Sequence, residues 1–289
     1  VTQSSGQIIK SHGRRYVVEA SDGRRYDCTT RGKRTDYACG DRVDLLIHND
    51  EQAVIERAQP RRSLLYRQDD FRQKLIAANV TQLVVVLAAV PTPAPEFLDR
   101  CLIAAEASDI ATLIVLNKCD LPQTAGLRTS LGFYREIGYD VLELSALGDI
   151  SALRTRLAGH TSVLIGQSGM GKSTLTNALV PEARARTNDI SEALDTGKHT
   201  TTHAELYHLD AHSDLIDSPG LQEFGLSHLE ATGLAHCFPE MRPLLGHCRF
   251  HNCAHLVEPG CALLAAHAAH EMAGQRLPLL QKLTRQLKR

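Results

Sequence analysis

Two kinds of apolar pattern divide the chain. In the first sixty residues apolar and polar positions alternate in short runs, Gly6–Lys10, Arg15–Ala20, Arg24–Thr30, Arg42–His48 and Gln52–Ala58, each bounded by turn residues. A period of two marks strands with one buried face. Asp22-Gly23 joins two of them as a hairpin, and Gly32 and Gly40 punctuate the rest. Five such strands in this length predict a small β-barrel, and the OB-fold, which holds oligonucleotides on its exposed face and loops, fits best. Tyr16, Tyr26 and Tyr37 are open to two readings, a stacking surface for bases or barrel core.

After Pro60-Arg61-Arg62-Ser63, which reads as a linker, the pattern changes. Gln82–Val90 is a continuous apolar run, as expected of a strand covered on both faces of a parallel sheet, and Thr112–Leu116, Val141–Leu144 and Ser162–Ile165 repeat it. Phe97–Ser108 has helical spacing between the first two. Two further strands are expected at Ala204–Leu209 and Asp214–Ile216, and helical patterns at Ala231–Phe238, Ala262–Met272 and Leu277–Leu287. The expected organisation is a barrel over residues 1–62, an α/β domain over 63–230 and a mainly helical domain over 231–289.

Gly166-Gln167-Ser168-Gly169-Met170-Gly171-Lys172-Ser173 lies between a buried strand and a helix, the context a phosphate-binding P-loop requires. Its glycines let backbone N–H groups converge on phosphate oxygens, Lys172 reaches the terminal phosphates, and Ser173 is a Mg²⁺ ligand candidate. Asn117-Lys118-Cys119-Asp120 ends an earlier strand and matches the guanine-reading motif. The Asp120 carboxylate, an acceptor only, complements the N1–H and exocyclic amino group that adenine lacks, Asn117 suits the other edge and braces the loop, and the Lys118 stem covers the base face. Ser145-Ala146, after the next strand, occupies the place of the loop that offers an N–H to the guanine carbonyl. Beyond the P-loop helix come Gly197-Lys198-His199-Thr200-Thr201-Thr202, a switch-like segment with a threonine for Mg²⁺, and Asp217-Ser218-Pro219-Gly220, where Asp217 would hold Mg²⁺ through water and Gly220 would sense the γ-phosphate. The two base-reading motifs therefore precede the phosphate loop, a circular permutation of the usual order.

Leu221 stands where Ras-type enzymes carry a water-orienting glutamine, and Gln222 is one residue late. His199, beside the switch threonines, is the candidate for that work, with a solvated loop histidine as the other reading.

Charge adds a direction. Lys and Arg total 32 against 33 Asp and Glu, yet residues 1–35 carry eight basic and three acidic side chains, and residues 231–289 seven and three. Basic flanks around an acidic middle suit a polyanionic partner. No signal-peptide pattern and no run long enough to span a bilayer is present, so a soluble, cytoplasmic protein is expected. The chain opens at Val1 without a methionine, leaving room for a preceding extension. Of eight cysteines, Cys248, Cys253 and Cys261 cluster with His247, His251 and His255; in a reducing compartment three thiols and an imidazole make a closed structural zinc site.

Taken together, the leading barrel, the permuted motifs and the trailing Cys/His cluster resemble, over essentially the whole chain, the RsgA (YjeQ) family of ribosome-small-subunit-dependent GTPases. The resemblance implies guanine contacts at Asn117, Lys118 and Asp120 and phosphate and Mg²⁺ contacts from Gly166 to Thr174. It also implies a switch threonine at Thr201, a second switch at Asp217–Gly220, a histidine in the segment of His199, and His255 as the fourth zinc ligand. It further implies a GTP hydrolase, monomeric, with one Zn²⁺ per chain and Mg²⁺ beside GTP, that binds the 30S subunit and 16S rRNA and assists late maturation, hydrolysis driving release. The rival reading is a nucleic-acid-binding protein that uses guanine nucleotide as a conformational switch with negligible turnover.

Overall fold

In a computed structural model of the chain, residues 2–13, 15–32, 36–69, 72–181, 204–217, 226, 229–272 and 274–287 are described. Strands β1 (Thr2–His12), β2 (Arg15–Ala20), β3 (Arg25–Thr30), β4 (Arg42–Ile47) and β5 (Gln52–Ala58) close into a barrel. β1 pairs with both β2 and β4, and β2–β3, a parallel β3–β5 and β5–β4 complete the ring. Alternate residues, among them Val18, Cys28, Val43, Leu45 and Ile55, fill the interior. At Gly6, where β1 passes from one neighbour to the other, a Cβ would lie 2.5 Å from the Glu19 carbonyl oxygen, so only glycine allows this closure. The three tyrosines are core: none is more than 5 % exposed, and Tyr16 and Tyr37 pack edge to face with centroids 5.8 Å apart.

The stretch expected to be a linker is pinned. Arg61 holds both carboxylate oxygens of the buried Asp41 at 2.7 Å, and Ser63 Oγ donates to the Val80 carbonyl at 2.6 Å. A hairpin that the sequence pattern did not announce follows, β6 (Leu64–Asp69) with β7 (Arg72–Ala78).

The central sheet runs β10-β9-β8-β11-β13-β12, with β8 (Gln82–Leu87), β9 (Ala111–Leu116), β10 (Asp140–Glu143), β11 (Thr161–Ile165) and β13 (Asp214–Asp217) parallel and β12 (Glu205–His208) antiparallel to β13. The continuous apolar runs are explained by burial on both faces. Leu83, Val85 and Leu87 belong to one core with helix α1 (Phe97–Ala107), whereas Val84, Val86 and Ala88 belong to another with α4 (Ser151–Leu157) and α5 (Lys172–Leu179). Two short helices, α2 (Thr124–Ser130) and α3 (Gly132–Glu136), lie between β9 and β10. β12 also pairs with β1 through Lys10 and Glu205, so barrel and α/β domain share one sheet.

At the C-terminal end, the helix expected over 231–238 is only a 3-10 turn, η1 (Leu234–Cys237), followed by η2 (Pro239–Leu244); Pro239 and Pro243 deny the backbone donors an α-helix needs. A Cys/His loop leads to α6 (Ala262–Ala268), shorter than its pattern suggested, and α7 (Arg276–Leu287). Their apolar faces, including Phe238, Met241, Leu263, Leu277, Leu280 and Leu283, join the same core as α1.

Candidate functional site

The phosphate loop spans the gap between β11 and α5. Gly171 has φ 95°, and a Cβ on it would sit 2.2 Å from Asn117 Nδ2, so backbone conformation and close approach both demand glycine there. Met170, fully buried, accepts the Ala88 N–H on its sulfur at 3.2 Å and the Asn117 amide on its carbonyl at 2.9 Å. The other end of that amide, Asn117 Oδ1, accepts the Ala146 N–H at 2.9 Å. One buried side chain thus holds the phosphate loop, the Asn-Lys-x-Asp turn and the Ser-Ala turn together; both its ends are spent on bracing.

Lys118, with φ 59°, stretches its ammonium to the carbonyls of Val90 (2.9 Å) and Gly169 (2.7 Å), laying its stem across the gap between base-reading and phosphate loops. The Cys119 N–H bonds the Leu144 carbonyl and Thr124 Oγ1 bonds the Lys118 carbonyl, fixing the turn. Asp120 is exposed, and the Ser145 hydroxyl holds its carboxyl below the usual range, keeping it an anionic acceptor. Ser168, Gly169, Ser173 and Thr174 face solvent along the loop and the first turn of α5, while Gln167 turns aside to accept the Ala94 N–H at 2.7 Å.

Lys172 folds back onto the carbonyls of Gly166 and, at 3.0 Å, Gln167. Burial depresses its pKa while the Asp217 charge opposes the shift; burial raises that of Asp217, at the end of β13, while Lys172 opposes. Two opposite charges in a dry cradle, each undercompensated by the other, are arranged to gain when a phosphate and its counter-ion enter. His199, Thr200, Thr201, Gly220, Leu221 and Gln222 lie outside the described residues.

In the C-terminal loop, the donor atoms of Cys248, Cys253, His255 and Cys261 all lie within 4.8 Å of one another. His255 Nδ1 is 3.3 Å from Cys261 Sγ, and the Cys248 and Cys261 sulfurs are 3.9 Å apart. Tetrahedral coordination with Zn–S near 2.3 Å requires sulfurs about 3.7 Å apart, so the donor set fits one zinc ion. His247 and His251 stand outside the cluster. Sequence reasoning overlooked Glu258, whose carboxylate accepts the N–H groups of Ala254, Leu256 and Val257 at 2.8–3.1 Å. Burial works against its charge, but these bonds hold its pKa down to about 2. An acid between the metal-ligand candidates His255 and Cys261 was the available signal.

A strand-and-loop frame in which guanine-reading turns precede the phosphate loop defines a P-loop GTPase of permuted motif order. The family model for the RsgA GTPase matches residues 58–227. The small ribosomal subunit biogenesis GTPase RsgA of Neisseria meningitidis serogroup C is 57% identical over 283 residues, covering 98% of this chain and 92% of the relative; that of Nitrosomonas europaea is 50% identical, covering 100% and 93%. Among solved structures, YjeQ from Thermotoga maritima superposes with a TM-score of 0.78 at 28% identity over 99% of both chains. YloQ, a circularly permuted GTPase, gives 0.74 at 28% identity over 99% of this chain and 96% of its own. The chain belongs to the RsgA GTPase family and is a GTP-hydrolysing enzyme.

Proposed function

We propose that this GTPase serves biogenesis of the small ribosomal subunit, binding the 30S particle and its 16S rRNA in the GTP form and leaving on hydrolysis. The observation that carries the nucleotide chemistry is the Asn117 brace, which sets Asp120 and the Ser-Ala turn at a fixed place relative to the phosphate loop. Asp120 would take the guanine N1–H and amino group, with Lys118 along the base face and Ala146 at the carbonyl. Gly166, Gln167, Ser168, Gly169, Met170, Gly171 and Thr174 would supply the phosphate cradle and Lys172 its charge. Mg²⁺, which neutralises phosphate charge in this chemistry, would be held by Ser173, Thr201 and Asp217. His199 is our candidate for positioning water, since Leu221 has no group to do so. Cys248, Cys253, His255 and Cys261 would hold one Zn²⁺ in a closed shell that folds the module and leaves no open position for water. We further propose a cytoplasmic monomer; among the described residues no helix is long and apolar enough to cross a membrane.

RNA contact by the barrel rests on exposed arginines rather than tyrosines. Arg24, Arg25 and Arg31 each have an acidic neighbour within ion-pair distance, so RNA phosphates would compete with Asp22, Glu19 and Glu56. Single-turnover GTP hydrolysis with and without purified small subunits tests the reading. A rate increase of at least tenfold is expected; a rate unchanged by the subunit would favour the nucleotide-switch alternative.

A further inference from the structure

Helix α1 carries three carboxylates on one stripe, Glu96 at its cap, Asp99 and Glu106, at separations of three and seven residues. Each meets a base from the C-terminal module. Glu96 receives Lys282 Nζ on both oxygens at 2.8 and 2.9 Å; Asp99 receives Arg276 Nη1 at 2.6 Å; Glu106 receives Arg242 Nη2 at 2.5 Å. Arg276, 2 % exposed, also bonds Glu240 through Nε at 2.6 Å and lies 4.5 Å from the Phe238 ring centroid. Tyr134 and Tyr139 donate their hydroxyls to the same Asp99 and Glu106. Ile103, between the charged positions, is fully buried in the core shared with the module.

The N-terminal end of the helix, the one that Glu96 caps, follows a segment that touches the nucleotide cradle. In the segment that leads into α1, Ala88 donates to Met170, Val90 accepts from Lys118, and Ala94 donates to Gln167. Pro91 lies against Gly169, 3.0 Å from where a Cβ would be. Ala94, which bonds the phosphate loop, therefore stands only two positions before a cap residue gripped by the C-terminal helix.

We infer that the C-terminal module is fastened to the nucleotide cradle through α1, and that Glu96 and Lys282 are positioning residues that set the phosphate loop through the 88–95 segment. This rests on the GTPase reading: the module and α1 move as one body, and what the module grips on the ribosome is felt at Gln167 and Lys118. Neither Glu96 nor Lys282 is assigned to the nucleotide cradle, and their pair is partly exposed, so its loss leaves the fold intact.

The test is a charge swap on the full-length, zinc-loaded protein. Glu96→Lys and Lys282→Glu are each expected to speed release of a fluorescent GDP analogue about two- to fivefold, the range an exposed ion pair spans. The same variants are expected to lower the ratio of subunit-stimulated to basal hydrolysis, with the thermal midpoint held within a few degrees. The double variant Glu96→Lys/Lys282→Glu should restore part of both readouts, the remainder being the Arg100–Glu96 pair at 3.3 Å that it also removes. Unchanged GDP release in the single variants, or no recovery in the double, would overturn the inference. Because GDP release is measured without ribosomes, that outcome is separate from a failure of the subunit to stimulate the unaltered enzyme.

Discussion

The α/β domain meets its two neighbours across seams of opposite character. Both are apolar inside: Ile9 and Cys39 of the barrel lie in the same core as Leu206 and Ile216, and Phe238 and Leu277 of the C-terminal module in the same core as Cys101 and Ile103. What closes each seam differs. The module is closed by Arg276, a buried guanidinium that cannot lose its proton and whose carboxylate partners come from both sides. The barrel is closed by His208 on β12, which holds Asp214 through Nδ1 at 2.6 Å and Glu19 of β2 through Nε2 at 2.8 Å, and by the Lys10–Glu205 pair at 2.9 Å. A permanent charge makes a fixture; an imidazole makes a seam that conditions can loosen.

Removing the metal is the largest perturbation of the first seam. Structural zinc contributes about 10–16 kcal/mol of apparent binding free energy in small modules, more than such a module's own stability. Chelation under reducing conditions is expected to release about one zinc per chain and to unfold the segment around Cys248–Cys261. Hydrogen exchange should then rise along α1, which loses its cover, while the barrel strands keep their protection. Undiminished protection of α1 after zinc loss would mean that the seam does not depend on the module's fold.

Arg276→Ala comes next. Removing one partner of a buried pair leaves Asp99 and Glu240 desolvated without a counter-charge, a loss of about 3–5 kcal/mol. Urea unfolding with a folded-state spectroscopic probe measures it. Arg276→Met, which keeps the volume but not the charge, should lose nearly as much, because the acids rather than the cavity set the cost. A loss below about 1 kcal/mol in both variants would make the pair no better than a surface bridge.

These seams were the least legible part of the sequence. The barrel and the parallel sheet could be read because a period of two and continuous apolar runs are local, and the phosphate and base-reading motifs because their chemistry sits within four to eight consecutive residues. Asp99 and Arg276 are 177 residues apart and Glu106 and Arg242 are 136 apart, and nothing in either neighbourhood names the other. Asn117 was expected to share itself between base and loop, but only the fold shows Met170 and Ala146 taking both ends of its amide. The hairpin of β6 and β7 escaped notice because its alternation is broken by charged residues around Asp69. The α2, α3 and α4 helices run only seven, five and seven residues, too short for a periodic signal.

The smallest effect expected is also the one that separates the two seams most cleanly, because it depends on pH. Burial opposes charging of His208, but the hydrogen bond and charge of Asp214, joined by Glu19, outweigh it and hold the imidazole above its ordinary pKa. Arg25 shares Glu19 at 2.9 Å, so the carboxylate divides its attraction between the two. A group whose folded pKa is raised contributes stability that is full below its unfolded pKa, about 6.5, and is lost as pH rises through the folded value. The thermal midpoint of the unaltered protein should therefore exceed that of His208→Gln by the most at mildly acidic pH, below the unfolded value of about 6.5, and the gap should close as pH rises through the raised folded value. Arg276→Met should show a gap independent of pH over the same window, since a guanidinium does not titrate there. A His208→Gln gap that stayed constant or widened with rising pH would show that the imidazole acts as a neutral spacer, and the contrast between a fixed and a conditional seam would fall with it.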